Sequence, residues 1–469
     1  MQAPSLSPTS RSHTIRWLSV AALSPDPRNP RRHSDRQIKQ IQRSIQSFGF
    51  NVPILVDGHH RVLAGHGRLL AAQRLGYTQV PVIALEHLTR AQAQAFAIAD
   101  NRLTEHASWD EALLGEIFAE LSSLDLDFSL EDTGFTIGEI DLQIEANQAK
   151  APSSSPSSAE SPTRTDPADE LPAPSAEPPV SRLGDLWELG AHRVLCANAL
   201  EAGSYADLLG AERAHVVFTD PPYNVRIHGH ASGNGQVRHR EFAMASGEMS
   251  PEAFQAFLAT VFGHLATHSH PGSIHYVCMD WRHLADALAA GSGAYSTLKN
   301  LCVWVKDKGG MGSLYRSQHE MVLVFKHGSA SHRNNVQLGQ FGRNRTNVWH
   351  YPGALALSRG PEAENLLALH PTVKPVALVA DALMDCSARG DLVLDSFLGS
   401  GSTLLAAERV GRVCRGLELD PVYVDTAIRR WQTYTGEAAR HADTGRSFEE
   451  MQRMRQARTT RRERKVLHG

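Results

Sequence analysis

No apolar run in this chain approaches the ~20 residues that span a bilayer, so no membrane is expected among its partners. The first residues, MQAPSLSPTSRSHTIRW, lack the apolar core of a secretory signal, and a cytoplasmic location is the expectation. Cysteine is scarce. Cys196, Cys278, Cys302, Cys386 and Cys414 are scattered with no C-x-x-C pair, which argues against a disulfide framework or a zinc cluster. Histidine is plentiful, at 24, but pairs such as His228/His230 and His268/His270 have no acidic or thiol companion at ligand spacing, so no metal is expected. Net charge is nearly absent too, with 47 basic residues against 50 acidic ones. That excludes a globally basic protein, yet a local basic stripe would serve a nucleic-acid partner equally well. What remains is ordinary: 42% hydrophobic and 21% charged, over 469 residues, which is enough chain for two domains.

The clearest break is 149–180, rich in Pro, Ser and Ala and almost free of large apolar residues. Such a stretch cannot offset its ordering entropy and is expected to be a disordered linker. It separates 1–148 from a larger part, 181–436, and a basic tail follows at 437–469 with Arg453, Arg455, Arg458, Arg461, Arg462, Arg464 and Lys465. In the first part, Ile38, Ile41, Ile45 and Phe48 recur at helical spacing, ended by Gly49. Short strands are expected at 53–56, 62–63 and 80–84, and helices at 67–75 and 89–122, with a break near Ser108. In the second part apolar runs and helical patterns alternate. Strands are expected at 216–219, 274–279, 303–306, 320–325, 392–395 and 413–418, with helices near 251–266, 281–290, from 402 and from 421. Alternation of this kind predicts an α/β fold with helices on both faces of the sheet.

Two signals carry chemistry. Thr219-Asp220-Pro221-Pro222-Tyr223 follows directly on the apolar run Val216-Val217-Phe218, so it lies at the carboxyl end of a strand. The Asp220 carboxylate and the Pro221 carbonyl are two acceptors suited to the two N–H bonds of an exocyclic amino group. Pro221-Pro222 stiffens the loop, and Tyr223 can stack on an extruded base. The second signal is Asp395-Ser-Phe397-Leu-Gly399-Ser-Gly401-Ser-Thr403, a strand, glycine turn and helix start that lets backbone approach a nucleotide-like ligand. It is neither G-x-G-x-x-G nor a P-loop. The next strand ends in Glu418-Leu-Asp420, and Glu418 lies 19 residues past Gly399, a spacing suited to ribose hydroxyls.

In this order the two motifs resemble the β arrangement of the DNA amino-methyltransferases, which methylate adenine N6 or cytosine N4. His370-Pro371-Thr372-Val373-Lys374-Pro375 and the stretch from Lys306 to Lys326, with Tyr315-Arg316-Ser317-Gln318-His319-Glu320, resemble that family as well. The resemblance covers roughly 181–434 and implies a Rossmann-like domain using S-adenosyl-L-methionine. It implies Asp220, Pro221, Pro222 and Tyr223 as catalytic. It also implies Asp395, Phe397, Gly399, Gly401, Thr403, Glu418, Asp420, His370, Thr372 and Lys374 as cofactor-binding. An aspartate in the first motif position is more typical of the adenine-N6 enzymes. No cysteine follows a proline, so the nucleophile of cytosine-C5 methyltransferases is missing. Where the family often has Gly-Asp before the catalytic strand, this chain has Ala197-Asn198, and Asn198 is a candidate for holding the adenine ring. Double-stranded DNA is the implied partner. A region at about 329–369 is read as target recognition, with Arg333, Arg343, Asn344 and Arg345 suited to base edges. The loop at 226–250 follows the catalytic motif and is long enough to close over a base.

In the first part, Asp57-Gly58-His59-His60-Arg61 and Gly65-His66-Gly67-Arg68 resemble the ParB/sulfiredoxin-like domain, an α+β fold, over about 14–105, with a helical extension to 148. Gly65 and Arg68 at a helix start form a candidate phosphate or nucleotide cradle. Sulfiredoxin chemistry is excluded, since no cysteine precedes Cys196. A role in DNA binding or assembly is favoured over nucleotide hydrolysis, and homodimerisation is left open. Two alternatives stand beside the adenine-N6 reading: a cytosine-N4 enzyme, and a ParB-like DNA-binding regulator whose methyltransferase half is inactive.

Overall fold

The computed structural model describes residues 13–105, 107–124, 126–150, 166–172, 177–225, 247–309, 314–340, 342–353 and 373–467. The chain divides into two compact units, Met1–Pro152 and Ser153–Gly469.

The first unit is built on a five-stranded sheet. Its strands are β1 (Ile15–Ser19), β2 (Ser24–Pro25), β3 (Ile54–Val56), β4 (Arg61–Ala64) and β5 (Gln79–Ala84), in the order β1-β5-β3-β4-β2. Ile54, Val56, Val62, Val80 and Val82 bury against Leu69 and Ala72 of a helix, because alternate residues of each short strand face one side. Five helices complete it: α1 (Asp35–Phe48), α2 (His66–Arg74), α3 (Arg90–Glu105), α4 (Glu111–Ser122) and α5 (Ile137–Lys150). Ser34 caps α1 by accepting from Gln37 N, and Gly49, at φ +85°, ends it where the isoleucine stripe ends. The expected interruption near Ser108 separates α3 from α4, and Asp110 caps the latter.

The second unit is a ten-stranded sheet: β6 (Leu186–Leu189), β7 (His192–Cys196), β8 (Ala214–Thr219), β9 (Ser269–Met279), β10 (Thr297–Val305), β11 (His319–Lys326), β12 (Val348–His350), β13 (Leu392–Asp395), β14 (Val413–Glu418) and β15 (Arg440–His441). Their order is β12-β10-β11-β9-β8-β13-β14-β7-β6-β15. The central strands β9, β8, β13, β14 and β7 are parallel, while β11 and β6 enter antiparallel on either flank. Helices α6 (Ala202–Leu209), α7 (Pro251–Thr267), α8 (Leu284–Ala294), α9 (Val376–Cys386), α10 (Ser402–Arg409), α11 (Pro421–Thr435) and α12 (Phe448–Leu467) accompany the sheet. Two large apolar clusters lie against it. That accounts for the unbroken burial of Val216–Phe218 and Leu392–Leu394: a parallel strand covered on both faces needs apolar residues at every position. The alternation read from the sequence is therefore realised as a Rossmann-like α/β sheet.

Of the span 149–180, residues 151–165 and 173–176 lie outside the described ones, and the described stretch 166–172 is anchored rather than free. Pro167–Asp169 form a 3-10 turn in which Ala168 and Asp169 are buried. Asp169 accepts from Val376 N at 2.8 Å, Arg409 holds Asp166 at 2.5 Å, and Asp425 accepts from both Val180 N and Ser181 N. Carboxylates thus tie the described parts of this span to α9, α10 and α11. The tail at 437–469 is not simply a solvated basic helix either. Phe448 and Met451 are buried, and Arg455 grips Asp185 at 2.5 and 3.0 Å. No described helix is long and apolar enough to cross a membrane.

Candidate active site

β8 and β13 are direct neighbours, so motifs 175 residues apart in sequence end side by side. Thr219 Oγ1 donates to Asp395 Oδ1 at 3.0 Å, stitching the two strand ends together. One cleft beyond them is lined by Asp220, Pro221, Pro222 and Tyr223 on one side, and by Asp395 through Ser400, Thr403, Glu418 and Asp420 on the other. The cleft sits where a parallel sheet of this kind places its ligands, at the carboxyl strand ends.

The glycine turn is held from three directions. Phe397 N donates to Asp395 Oδ1 at 3.0 Å, and Gly399 N to Glu418 Oε2 at 2.8 Å. Arg430, buried in α11, donates to Ser400 O at 2.8 Å and Ser400 Oγ at 3.0 Å, and its other nitrogen reaches Ala168 O at 2.7 Å. Gly401 is required twice over. Its φ is +89°, and a Cβ there would stand 2.8 Å from Ala427 Cβ and 3.1 Å from Ala427 Cα. Gly401→Ala is expected to destabilise the protein by about 1–3 kcal/mol through backbone strain and overpacking, read as a lowered melting temperature.

Burial raises two acidic residues of the wall that carries the glycine turn. Asp395 is pushed up to about 6 by burial, despite hydrogen bonds from Thr403, Phe397 N and Thr219. Glu418 is pushed up to about 7 by burial, despite Asp420 N and Gly399 N. A carboxyl group in that state gains from any further donor that enters, because a charged acceptor without enough donors is what burial penalises. Ser402 Oγ, at the wall of the cleft, is buried with no partner among the described residues.

Around Asp220 the polar groups form a packed cluster. Tyr223 OH donates to Asp220 Oδ1 and Lys374 Nζ to Asp220 Oδ2, each at 2.5 Å. Lys374 also contacts Glu320 at 3.1 Å, and Lys306 contacts Glu320 at 2.5 Å. Burial pushes the Asp220 carboxyl up against the pull of Lys374. Glu320 also suffers burial, but Lys374 and Lys306 together hold it down at about 2.

Lys374, expected on the cofactor, thus lies against the Asp220 carboxylate. Its ammonium is committed to two anions, the strongest contacts open to it, although its side chain still borders the cleft. His370 and Thr372, expected beside it, lie outside the described residues. Asn198 does not enter the cleft. Its Oδ1 accepts from Leu200 N at 3.0 Å to cap the turn before α6, and Ala197 and Ala199 line the wall instead. Arg343 and Arg345, read as base-edge contacts, are turned inward. Arg343 holds Asp385 at 2.8 Å and Asp381 at 3.2 Å. Arg345 holds the other oxygens of the same pair, each at 3.0 Å. Asp381 and Asp385 lie one turn apart on α9, and guanidiniums removed from water need such anions. Arg333 and Asn344 are exposed. The catalytic-side loop has its described ends pinned: Asn224, at φ +53°, accepts from Gly247 N and Met249 N and donates to Met249 O. Residues 226–246 lie outside the described ones.

In the first unit, Gly65 caps α2 at φ +99°. Arg68 donates to Val52 O and Pro53 O at 2.8 and 2.7 Å, so its guanidinium braces the loop before β3. Among the described residues no group of three or more His, Cys, Asp or Glu could hold a metal.

Sequence reading missed Asp169, Arg430, Leu419 and Tyr423 around the cleft, and gave Glu320 and Lys306 no role. Glu320 carried a signal: it is the one acidic residue of its strand, directly before the apolar run Met321–Phe325 and opposite Trp304.

Residues 214–429 match the DNA methylase family of N6/N4 amino-methyltransferases, 6–102 match the ParB N-terminal domain, and 112–183 match the ParB-methyltransferase HTH domain. The chain is 46% identical over 80 residues to the ParB-like nuclease domain-containing protein YnaK of Escherichia coli (strain K12), covering 17% of this chain and 92% of that protein. It is 24% identical over 255 residues to the type II methyltransferase M.HpaI of Haemophilus parainfluenzae, covering 51% of this chain and 73% of that one. Among solved structures, TTHA0409 of Thermus thermophilus, a putative DNA modification methylase complexed with S-adenosyl-L-methionine, superposes with a TM-score of 0.36 at 20% identity, over 55% of this chain and 96% of that one. Within the second unit, residues 214–429 are thus similar to the DNA methylase family. The chain belongs to the ParB-like family through its first hundred residues.

Proposed function

We propose that this chain transfers a methyl group from S-adenosyl-L-methionine to the N6 amino group of adenine in double-stranded DNA. The observation that carries the reading is the shared cleft, with Asp220-Pro221-Pro222-Tyr223 on one wall and the glycine turn on the other. S-adenosyl-L-methionine supplies an electrophilic methyl group on a sulfonium centre. The residues of the cleft fit it. Glu418 keeps a lone pair on each oxygen for ribose hydroxyls beyond the backbone donors it already accepts, and Ser402 Oγ has an unused hydrogen bond. The acidic lining of Asp220, Asp395, Glu418 and Asp420 favours a cation.

On the opposite wall the Asp220 carboxylate and the Pro221 carbonyl accept the two amino hydrogens, which localises the nitrogen lone pair toward the methyl donor. Tyr223, packed at the edge of both apolar clusters, presents a ring on which an everted base stacks. Positioning the nitrogen and methyl carbon in line is the main contribution, since both partners are otherwise dilute. Exposed Arg333 and Asn344 remain candidates for contact with DNA, whereas Arg343 and Arg345 serve the fold.

The test is to incubate the purified chain with mixed-sequence DNA and labelled S-adenosyl-L-methionine, then digest to nucleosides. Label in N6-methyl-2′-deoxyadenosine supports the reading. Label in N4-methyl-2′-deoxycytidine moves the activity to cytosine, and no transfer at all leaves a DNA-binding regulator.

A further inference from the structure

Asp220 is occupied before any base arrives. Tyr223 OH donates to its Oδ1, and Lys374 Nζ donates to its Oδ2. An amino group entering the cleft must share Asp220 with a full ammonium ion, which is the stronger donor by about a factor of two. Lys374 cannot retreat into water, because its side chain is only 5% exposed. A second anion stands ready for it. Glu320 Oε2 lies 3.1 Å from Lys374 Nζ and 3.2 Å from Tyr223 OH. Glu320 is fixed in turn by Lys306 at 2.5 Å, whose ammonium also lies 4.6 Å from the Trp304 ring centroid. β10 and β11 hold this arrangement in register, with Trp304 opposite Glu320 and Val305 opposite His319. Glu320 is absent from the cleft lining, so it meets neither base nor methyl donor directly.

We propose that Glu320 is a positioning residue for methyl transfer: it holds Lys374 beside Asp220 at rest and takes over that ammonium when a base amino group claims Asp220 Oδ2. This rests on the transfer reading above. The exchange breaks the Lys374–Asp220 hydrogen bond and tightens the Lys374–Glu320 contact that already exists at 3.1 Å, moves no proton, and leaves the total charge of the cluster unchanged. Its effect is to free an anionic acceptor at the moment the amino group needs one, without exposing a buried cation. Lys306 keeps Glu320 ionised, so the receiving anion is always present. Tyr223 OH, within reach of both carboxylates, can follow the same shift.

The experiment compares Glu320→Gln and Glu320→Asp with the wild-type chain in the pH dependence of single-turnover transfer, alongside equilibrium binding of S-adenosyl-L-methionine and thermal melts. Gln is nearly isosteric but uncharged. It leaves Asp220 as the one anion in contact with Lys374 among the described residues, so the amino group competes poorly. Transfer is expected to fall on the order of 100-fold, the scale of losing one preorganised charge. The acid limb of the profile is also expected to move to lower pH, since Glu320 no longer opposes ionisation of Asp220. Glu320→Asp keeps the charge and is expected to restore the wild-type position of the acid limb. A folded Glu320→Gln protein that binds S-adenosyl-L-methionine and transfers at the wild-type rate overturns the proposal. So does one whose rate falls with the acid limb unmoved, which marks a merely structural role. A wild-type chain that transfers no methyl group overturns the reading beneath it, and the proposal with it.

Discussion

Asp220→Asn is expected to abolish most methyl transfer, by on the order of 100- to 1000-fold, the scale seen when one preorganised charge at a reacting centre is removed. The loss should lie in the chemical step. The glycine turn, Glu418 and Asp420 are supported from β13, β14 and α11, and none of their recorded hydrogen bonds runs through Asp220. Binding of S-adenosyl-L-methionine, measured by calorimetry, should therefore persist while turnover disappears. The amide keeps an acceptor for Tyr223 OH but presents N–H groups to the Lys374 ammonium. Some stability is expected to go with the charge, and a melt on the same sample separates the two effects. Full transfer by the folded variant would remove Asp220 from the reaction.

Arg343→Ala has the second large effect, and it is on folding. Arg343 is 5% exposed, and its loss leaves Asp385 buried with one guanidinium where it had two. Removing one partner from a buried ion pair costs about 3–5 kcal/mol, because the remaining charge is stranded away from water. Chemical denaturation should show that drop in the second unit. DNA affinity per folded molecule should stay unchanged, since the guanidinium points at α9. A variant with wild-type stability and weakened DNA binding would restore the base-contact role expected from composition.

The Arg343 case shows why the sequence was readable in some places and not in others. Strands β8 and β13 stood out because central parallel strands carry unbroken apolar runs such as Val216–Phe218 and Leu392–Leu394, and a motif directly after such a run must lie at a strand end. Juxtaposition of Asp220 with Gly399–Gly401 followed from that placement. Local chemistry also marked α1, whose serine cap and isoleucine stripe agree over every turn. Side-chain partnerships were invisible. Nothing in the spacing of Arg343 and Arg345 says that two aspartates on a helix 36–42 residues later will claim them. Asn198 looked like a ligand, yet a short polar side chain before a helix serves the turn first. β6, β7 and β15 were missed because edge and flank strands are short and mix Trp, Glu, His and Arg with apolar residues.

The turn at Pro167–Asp169 sets the size of the smallest piece that could work alone. The span matched to DNA methylases, 214–429, would amputate Arg430, the residue that clasps Ser400, together with Ala168 and Asp169, which it and Val376 lean on. It would also strip β6, β7 and β15 from one flank of the sheet and leave β14 as a raw border. Excision that respects the architecture begins ahead of Asp166 and runs past Met451, because the glycine turn and its helix are braced from behind by residues that flank the recognisable motifs on both sides.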